Sequence, residues 1–177
     1  MDDRSLVDAL RSGDPQAPSL LFARYHGMIY GLCFRMMRHR QDAEDVAQDT
    51  FLRALNGLKR FDASRPLRPW LLGIAANRCR TALGRRTRRP IPADSPAECV
   101  DRRPGLDDPE DLAGELDRAL GQLRPEYRLV FVLFHEQALP YEEIAQAIGR
   151  PVGTVKTWLR RARLELIGHL TRRGVYC

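Results

Sequence analysis

Residues 140–163 read PYEEIAQAIGRPVGTVKTWLRRAR, and this stretch decides the fold. From Tyr141 to Ile148 the apolar Ile144, Ala145 and Ile148 recur at helical spacing, and Gly149 stands just past them as a C-terminal stop. Arg150 and Pro151 fill a turn, and a second helix opens near Val152. Its apolar residues Val155, Leu159, Ala162 and Leu166 fall at i, i+4, i+7 and i+11, one buried stripe. The opposite face carries Gly153, Thr154, Thr157, Arg160 and Arg161, flanked by Lys156, Trp158 and Arg163. Small residues lead and cations follow, so the start of the helix can enter a DNA groove while later turns meet phosphate. A lone basic helix reads equally well as a solvated face. The short partner helix, the tight turn and the small Ala145 at the crossing favour a DNA-binding helix-turn-helix.

The 177 residues leave room for one domain or two small ones, and 44% hydrophobic content suffices for buried cores. A net charge of +6 and a pI near 9.5 suit a polyanionic partner. Of the 29 cations only Lys59 and Lys156 are lysine. Arginine grips phosphate bidentately and stacks on bases, although codon usage alone can produce the same bias. Cys33, Cys79, Cys99 and Cys177 are widely spaced, with no CxxC pair, which argues against a structural zinc or a disulfide framework. Cys33 and Cys79 fall in apolar helical stretches and are expected in a core. His26, His39, His135 and His169 are scattered, so no metal, cofactor or small-molecule substrate is assigned. Without a signal peptide or a long apolar segment, the chain is expected to be soluble, cytoplasmic and not inserted in a membrane.

The expected fold is all-α: two small helical domains joined by a flexible linker, the second ending in the helix-turn-helix. The first domain spans 1–86. Its helices are expected from about Asp3 to Ser12, from Pro18 to Arg38, from Asp42 to Leu58, and from Pro66 or Pro69 to about Arg86. The second of these carries Leu21, Tyr25, Ile29, Leu32 and Met36 along one side. Residues 87–113 hold Pro90, Pro92, Pro96, Pro104 and Pro109 among many carboxylates, and read as an irregular acidic tether. Fully extended, it spans on the order of 90 Å, more than two duplex turns of roughly 34 Å, so the blocks can reach separate DNA sites. A plain surface loop is the alternative, weakened by length and proline content. At the entry to and within the last domain, 114–177, Leu112, Leu116, Ala119, Leu120 and Leu123 mark an amphipathic first helix. Pro125–Gln137 follows; its run from Leu129 to Phe134 could be a buried strand, but Pro125 at a first helical position and the helical neighbours favour a central helix.

Within the first domain, Ala43, Val46, Ala47, Thr50, Phe51, Ala54 and Leu58 face a core. The other side of that helix presents Asp45, Gln48, Asp49, Leu52, Arg53 and Asn56. One apolar anchor in a polar rim suits a protein interface; spacing alone fits a solvated face equally well. The next segment mixes Lys59, Arg60, Arg65 and Arg68 with Ser64 and the aromatic Phe61 and Trp70, the combination that single-strand recognition needs. Asn77 can read a base edge, and Arg80 with the run Arg85, Arg86, Arg88 and Arg89 can position phosphate. Phe61 and Trp70 can also be core residues closing the bundle, the better reading for Trp70.

These motifs together resemble the extracytoplasmic-function (group IV) sigma factors of the sigma-70 family, promoter-recognition subunits of bacterial RNA polymerase. Asp42-Ala-Glu-Asp-Val-Ala-Gln-Asp-Thr-Phe-Leu-Arg53 is similar to the family's core-binding helix. Pro69-Trp-Leu-Leu-Gly-Ile-Ala-Ala-Asn-Arg78 is similar to its upstream promoter-box helix. Leu123-Arg-Pro-Glu126, Tyr141-Glu-Glu-Ile-Ala145, Gly153-Thr-Val-Lys156 and Arg161-Ala-Arg163 resemble the family's fourth conserved region. The resemblance implies that Asp45, Gln48, Asp49, Leu52 and Arg53 grip the polymerase's largest subunit. It implies that Phe61, Ser64, Arg65, Arg68, Asn77 and Arg80 capture and hold the melted −10 strand, without ATP hydrolysis. Thr154, Lys156, Thr157, Trp158, Arg160, Arg161 and Arg163 would meet the −35 duplex. An anti-sigma partner is also implied, as members are commonly held inactive by one. Trp158 stands where the family often has arginine, either to stack on sugar or a thymine methyl or to pack on the neighbouring helix.

Two other functions compete. A standalone dimeric regulator explains the helix-turn-helix but leaves the Asp45–Arg53 face and the Phe61–Trp70 loop without a task; it would bind a palindromic site without polymerase. A nucleic-acid enzyme would need a metal cluster, a phosphate-cradling glycine loop or a nucleophile–base pair, and none is legible.

Overall fold

The computed structural model describes residues 2–88 and 109–174, with the side chains of 87–88 and 109–112 excepted. Among the described residues there is no strand, and eight α-helices follow one another. Helix α1 (Asp3–Ser12) starts where the Asp2 carboxylate accepts from the Ser5 amide at 2.8 Å and stops at left-handed Gly13. Helix α2 (Ala17–Met37) takes Pro18 into its first turn, where a missing N–H costs nothing. It ends on Arg38, held at a left-handed φ of 55°. Helix α3 (Arg40–Gly57) is capped by the His39 ring and passes through a 3-10 turn at Leu58–Arg60. Helix α4 (Leu67–Arg88) begins between the two prolines proposed as its start.

The second block comprises α5 (Pro109–Gln122), α6 (Pro125–Phe131), α7 (Tyr141–Ile148) and α8 (Val152–Arg172). The apolar run after α6 is helical, continuing as a π turn over Val132–Glu136. Val132 and Leu133 are fully buried there, so the segment is the expected central helix and not a strand. Gly149 ends α7 at φ 64°, a conformation that penalises any Cβ. The stripe Val155, Leu159, Ala162 and Leu166 is buried as its spacing requires. Most of the proposed tether, 89–108, lies outside the described residues, while helix occupies its two ends.

One stripe reads differently in the structure. Leu116 is 36% exposed, and the neighbouring Glu115 is buried. Arg118 and Arg173 both pair with the Glu115 carboxylate, so α5 turns that acid inward and its leucine outward. A buried charge needs such partners, and Arg173 is too remote in sequence for a periodicity argument to find it.

The two blocks pack face to face. One apolar cluster runs from Leu21, Ile29, Leu71 and Leu72 in the first block through Leu129, Leu133 and Ile144 in the second. A smaller cluster, containing Leu120, Leu123 and Leu166, joins α5, α6 and α8. Leu133→Ala should therefore cost about 3 kcal/mol, the usual penalty for hollowing a core. Leu52→Ala, on the exposed side of α3, should stay within about 0.5 kcal/mol. Denaturant titrations of both variants check the contrast.

Candidate nucleic-acid interface

The polar face of α8 is built by the core stripe beneath it. Because Val155, Leu159 and Ala162 are buried, Lys156, Thr157, Arg160 and Arg161 are turned to solvent on the far side. Thr154 is half-buried at the helix start. The Thr157 hydroxyl donates back to the Gly153 carbonyl at 2.8 Å. Arg161 donates to the Tyr127 hydroxyl at 3.0 Å, which anchors one guanidinium nitrogen on α6. Trp158 is half-buried and packs against both apolar clusters, the second of the two roles open to it in the sequence. Arg163 sits 5.4 Å from the Phe134 ring centroid and donates to the His135 ring at 3.2 Å. Lys156 lies 5.4 Å from the Tyr141 ring centroid.

A second basic feature surrounds Phe61 and Trp70. Phe61 is only 6% exposed, and its ring lies 4.6 Å from that of Trp70. Trp70 is half-buried and packs on Gly57, so both aromatics close the bundle while also lining open clefts. One cleft, of about 410 Å³, is bounded by Arg53, Arg60, Trp70, Asn77 and Arg78. The other, of about 480 Å³, has Arg65, Asn77 and Gly73 on one wall and Glu143 and Gln146 of α7 on the other. Arg11 shapes this region from α1, donating to the carbonyls of Leu58 and Phe61. Asp62 accepts from both the amide and the hydroxyl of Ser64 at 2.9 and 2.7 Å, fixing the loop tip and holding the Asp62 carboxyl below its ordinary range.

The remaining arginines proposed for this region face different partners. Arg65 is exposed. Arg68 donates to the Gln137 carbonyl at 2.6 Å, and Arg80 to the Ile148 carbonyl at 3.2 Å and the Asn77 side chain at 3.3 Å. Arg86 pairs with Asp42 and donates to the Met37 carbonyl, so it fastens α4 to the α2–α3 junction.

Of the seven core positions named from spacing, six lie on α3 and Leu58 on the 3-10 turn that follows, and all are buried. The opposite side exposes Asp45, Gln48, Arg53 and Asn56 around Leu52, which is 61% exposed. Asp49 is half-buried and paired with both Arg53 and Arg78. A rim of charge around one bare leucine is the pattern of a protein contact.

Residues 21–89 match the family described as Sigma-70 region 2, and residues 113–166 match Sigma-70, region 4. The RNA polymerase sigma-H factor of Pseudomonas aeruginosa is 32% identical, over 91% of this chain and 90% of that protein. The chain belongs to the sigma-70 family. Its extracytoplasmic-function group is indicated by the ECF RNA polymerase sigma factor SigW of Bacillus subtilis, 31% identical over 90% of this chain and 92% of SigW. Among solved structures it is similar to CnrH in complex with the cytosolic domain of CnrY, with a TM-score of 0.72 and 29% identity, covering 96% of this chain and 97% of that one. This sigma factor therefore works with RNA polymerase in promoter-specific transcription initiation, as an initiation factor and not an enzyme. Among the described residues no helix is long and apolar enough to cross a membrane.

Sequence reasoning missed the residues that support these faces. Tyr127 behind Arg161, Arg11 behind the Phe61 loop and Arg78 beside Asp49 are each brought in from another helix. The His135 ring is another: burial first, and the Arg163 cation second, hold it below the ordinary 6.5. The fold thus favours the neutral ring. Its contribution to stability is present above pH 6.5 and is lost as pH falls through the depressed folded value. An NMR titration of His135 should give a midpoint below 6.5. In Arg163→Ala the midpoint should rise; a wild-type midpoint at or above 6.5 contradicts the assignment.

Proposed function

We propose that three faces of this sigma factor divide the work of initiation. Asp45, Gln48, Leu52 and Arg53 on α3, with Asp49 steadied by Arg53 and Arg78, bind core RNA polymerase. The cleft lined by Phe61, Arg65 and Asn77, with Ser64, Arg68 and Arg80 outside its lining on the same loop and helix, takes the melted −10 strand: cations hold its backbone while the Phe61–Trp70 wall and Asn77 meet an unstacked base. The α8 face of Thr154, Lys156, Thr157, Arg160 and Arg161 meets the −35 element as duplex, with Trp158 and Arg163 at its margin. Strand opening then follows from preferential binding of the single strand, with no nucleotide hydrolysed by this chain. The protein acts in the bacterial cytoplasm, where its polymerase is.

The observation that carries this reading is the separation of an apolar-centred face on α3 from a basic face on α8, each exposed and each in a different family region. A dimeric regulator has no use for the first of them. An anti-sigma partner is also proposed: the sigma factor RpoE, which shares this fold, is solved in complex with the anti-sigma factor NepR from Bartonella quintana.

Two substitutions separate the roles. Leu52→Asp should weaken holoenzyme formation by about tenfold or more, the effect of losing a central anchor, with thermal stability unchanged; undiminished holoenzyme on a sizing column contradicts the α3 assignment. Arg160→Ala should weaken promoter binding by the holoenzyme and lower the salt slope by about one. An unchanged slope removes Arg160 from the phosphate contacts.

A further inference from the structure

Cys33 of α2 and Cys79 of α4 meet inside the core of the first block. Both are free thiols and both are fully buried. Their sulfurs stand 3.9 Å apart, with the Cys79 thiol donating to the Cys33 sulfur. Neither belongs to the three faces proposed above. Among the described residues no third His, Cys, Asp or Glu joins them in a cluster that could hold a metal ion. The pair therefore has the chemistry of a dithiol and not of a structural zinc site.

The direction of the hydrogen bond divides the roles. Cys79 is the donor, and its contact with Cys33, followed by burial, pushes its thiol well above the ordinary value. Cys79 thus keeps its proton, while the hydrogen bond it gives favours a thiolate on Cys33. Hydrogen peroxide is small enough to reach a buried sulfur during local opening of the helices, where a bulkier oxidant is excluded. The Cys33 thiolate attacks one peroxide oxygen: an S–O bond forms, the O–O bond breaks, and the leaving hydroxide takes up the proton that Cys33 released. The products are Cys33 sulfenic acid and water. The Cys79 sulfur then attacks the Cys33 sulfur. The S–S bond forms, the S–O bond breaks, and hydroxide leaves with the Cys79 proton as a second water. The two thiols lose two electrons and the peroxide gains them.

The place of Cys79 connects this chemistry to α4. It is flanked in sequence by Arg78, which pairs with Asp49, and Arg80, which donates to the Ile148 carbonyl. Ala75 and Ala76, one turn earlier, are fully buried. A disulfide needs its sulfurs about 2.05 Å apart. Closing the 3.9 Å gap draws α4 toward α2 in a core with little free space, and the side chains on the outer face of α4 move with it.

We propose that Cys33 and Cys79 are a reversible oxidation site, whose disulfide displaces α4 and withdraws this sigma factor from promoter opening until a thiol reduces it. In the reducing cytoplasm proposed for this protein such a bond is transient, as redox-sensing disulfides are. The loss of function rests on the reading of α4 as the −10 surface; formation of the disulfide does not.

The test uses the full chain carrying Cys99→Ser and Cys177→Ser, in which Cys33 and Cys79 are the only thiols. The free protein is treated with hydrogen peroxide, and the oxidant is removed before core polymerase and promoter DNA are added. Peptide mass spectrometry should find Cys33 joined to Cys79. Promoter opening, read by permanganate, should fall by about fivefold or more, the low end of coupling between separate sites, and thiol reduction should restore it. With Cys33→Ala added, peroxide should leave opening unchanged; with Cys79→Ala added, a dione present at the quench should trap sulfenic acid on Cys33. Absence of the Cys33–Cys79 peptide, in protein that opens promoters when reduced, overturns the site. Crosslinked protein that opens promoters as well as the reduced sample, or a Cys33→Ala chain equally impaired by peroxide, overturns the switch. A reduced chain that binds polymerase but opens no −10 element overturns the α4 reading, and the functional consequence with it.

Discussion

A single buried guanidinium holds the two halves of this molecule in register. Arg128 is 7% exposed and donates to the carbonyls of Leu120, Gly121 and Leu123 at the end of α5, and to the Met36 carbonyl at the end of α2. The Gly121 and Met36 carbonyls are acceptors of the kind a helix leaves open at its C-terminus, where the helix dipole also favours a cation. One side chain thus terminates a helix from each block and ties both to α6. Burial, with help from the Arg38 cation and against the Asp117 carboxylate, pushes the Arg128 guanidinium down to about 10. It therefore stays charged at neutral pH, and its removal would leave carbonyls of both blocks without their donor.

The arrangement of functional faces follows from that joint. With the blocks joined through α2, α5 and α6, and α4 lying against α7, the exposed side of α3 and the polar face of α8 remain open to solvent. The α4 surface between them is largely spoken for. The sigma factor accordingly leaves exposed the two sides proposed to meet polymerase and duplex, while its proposed single-strand side is shared with its own second block. Arginine suits this double duty: a planar fork that caps carbonyls within the molecule can also grip phosphate.

Much of this was legible in the sequence, because helical periodicity reports burial faithfully. The core positions of α3, the stripe of α8 and the stop at Gly149 follow from spacing and from glycine's tolerance of left-handed backbone. Helix ends moved by only a residue or two, as at the start of α3, where the His39 cap starts the helix at Arg40, two residues before the expected Asp42. What could not be read were contacts distant in sequence. Glu115 is buried because Arg118 and Arg173 meet it, so the apparently clean stripe of α5 was misleading at Leu116. Likewise, nothing local identifies Gly73 as a contact residue or Arg128 as a joint. The candidate functional residues could be named as residue types and faces; which of their arginines are engaged by the other block emerged only in three dimensions.

The most direct test of the account is run-off transcription with purified core polymerase and genomic fragments, with start sites mapped and unpaired thymines probed by permanganate. The expected result is new start sites that depend on this protein, each preceded by an opened −10 element and a common upstream duplex motif. Specific binding of the isolated protein to a palindromic site, with no holoenzyme and no new transcript, would contradict it.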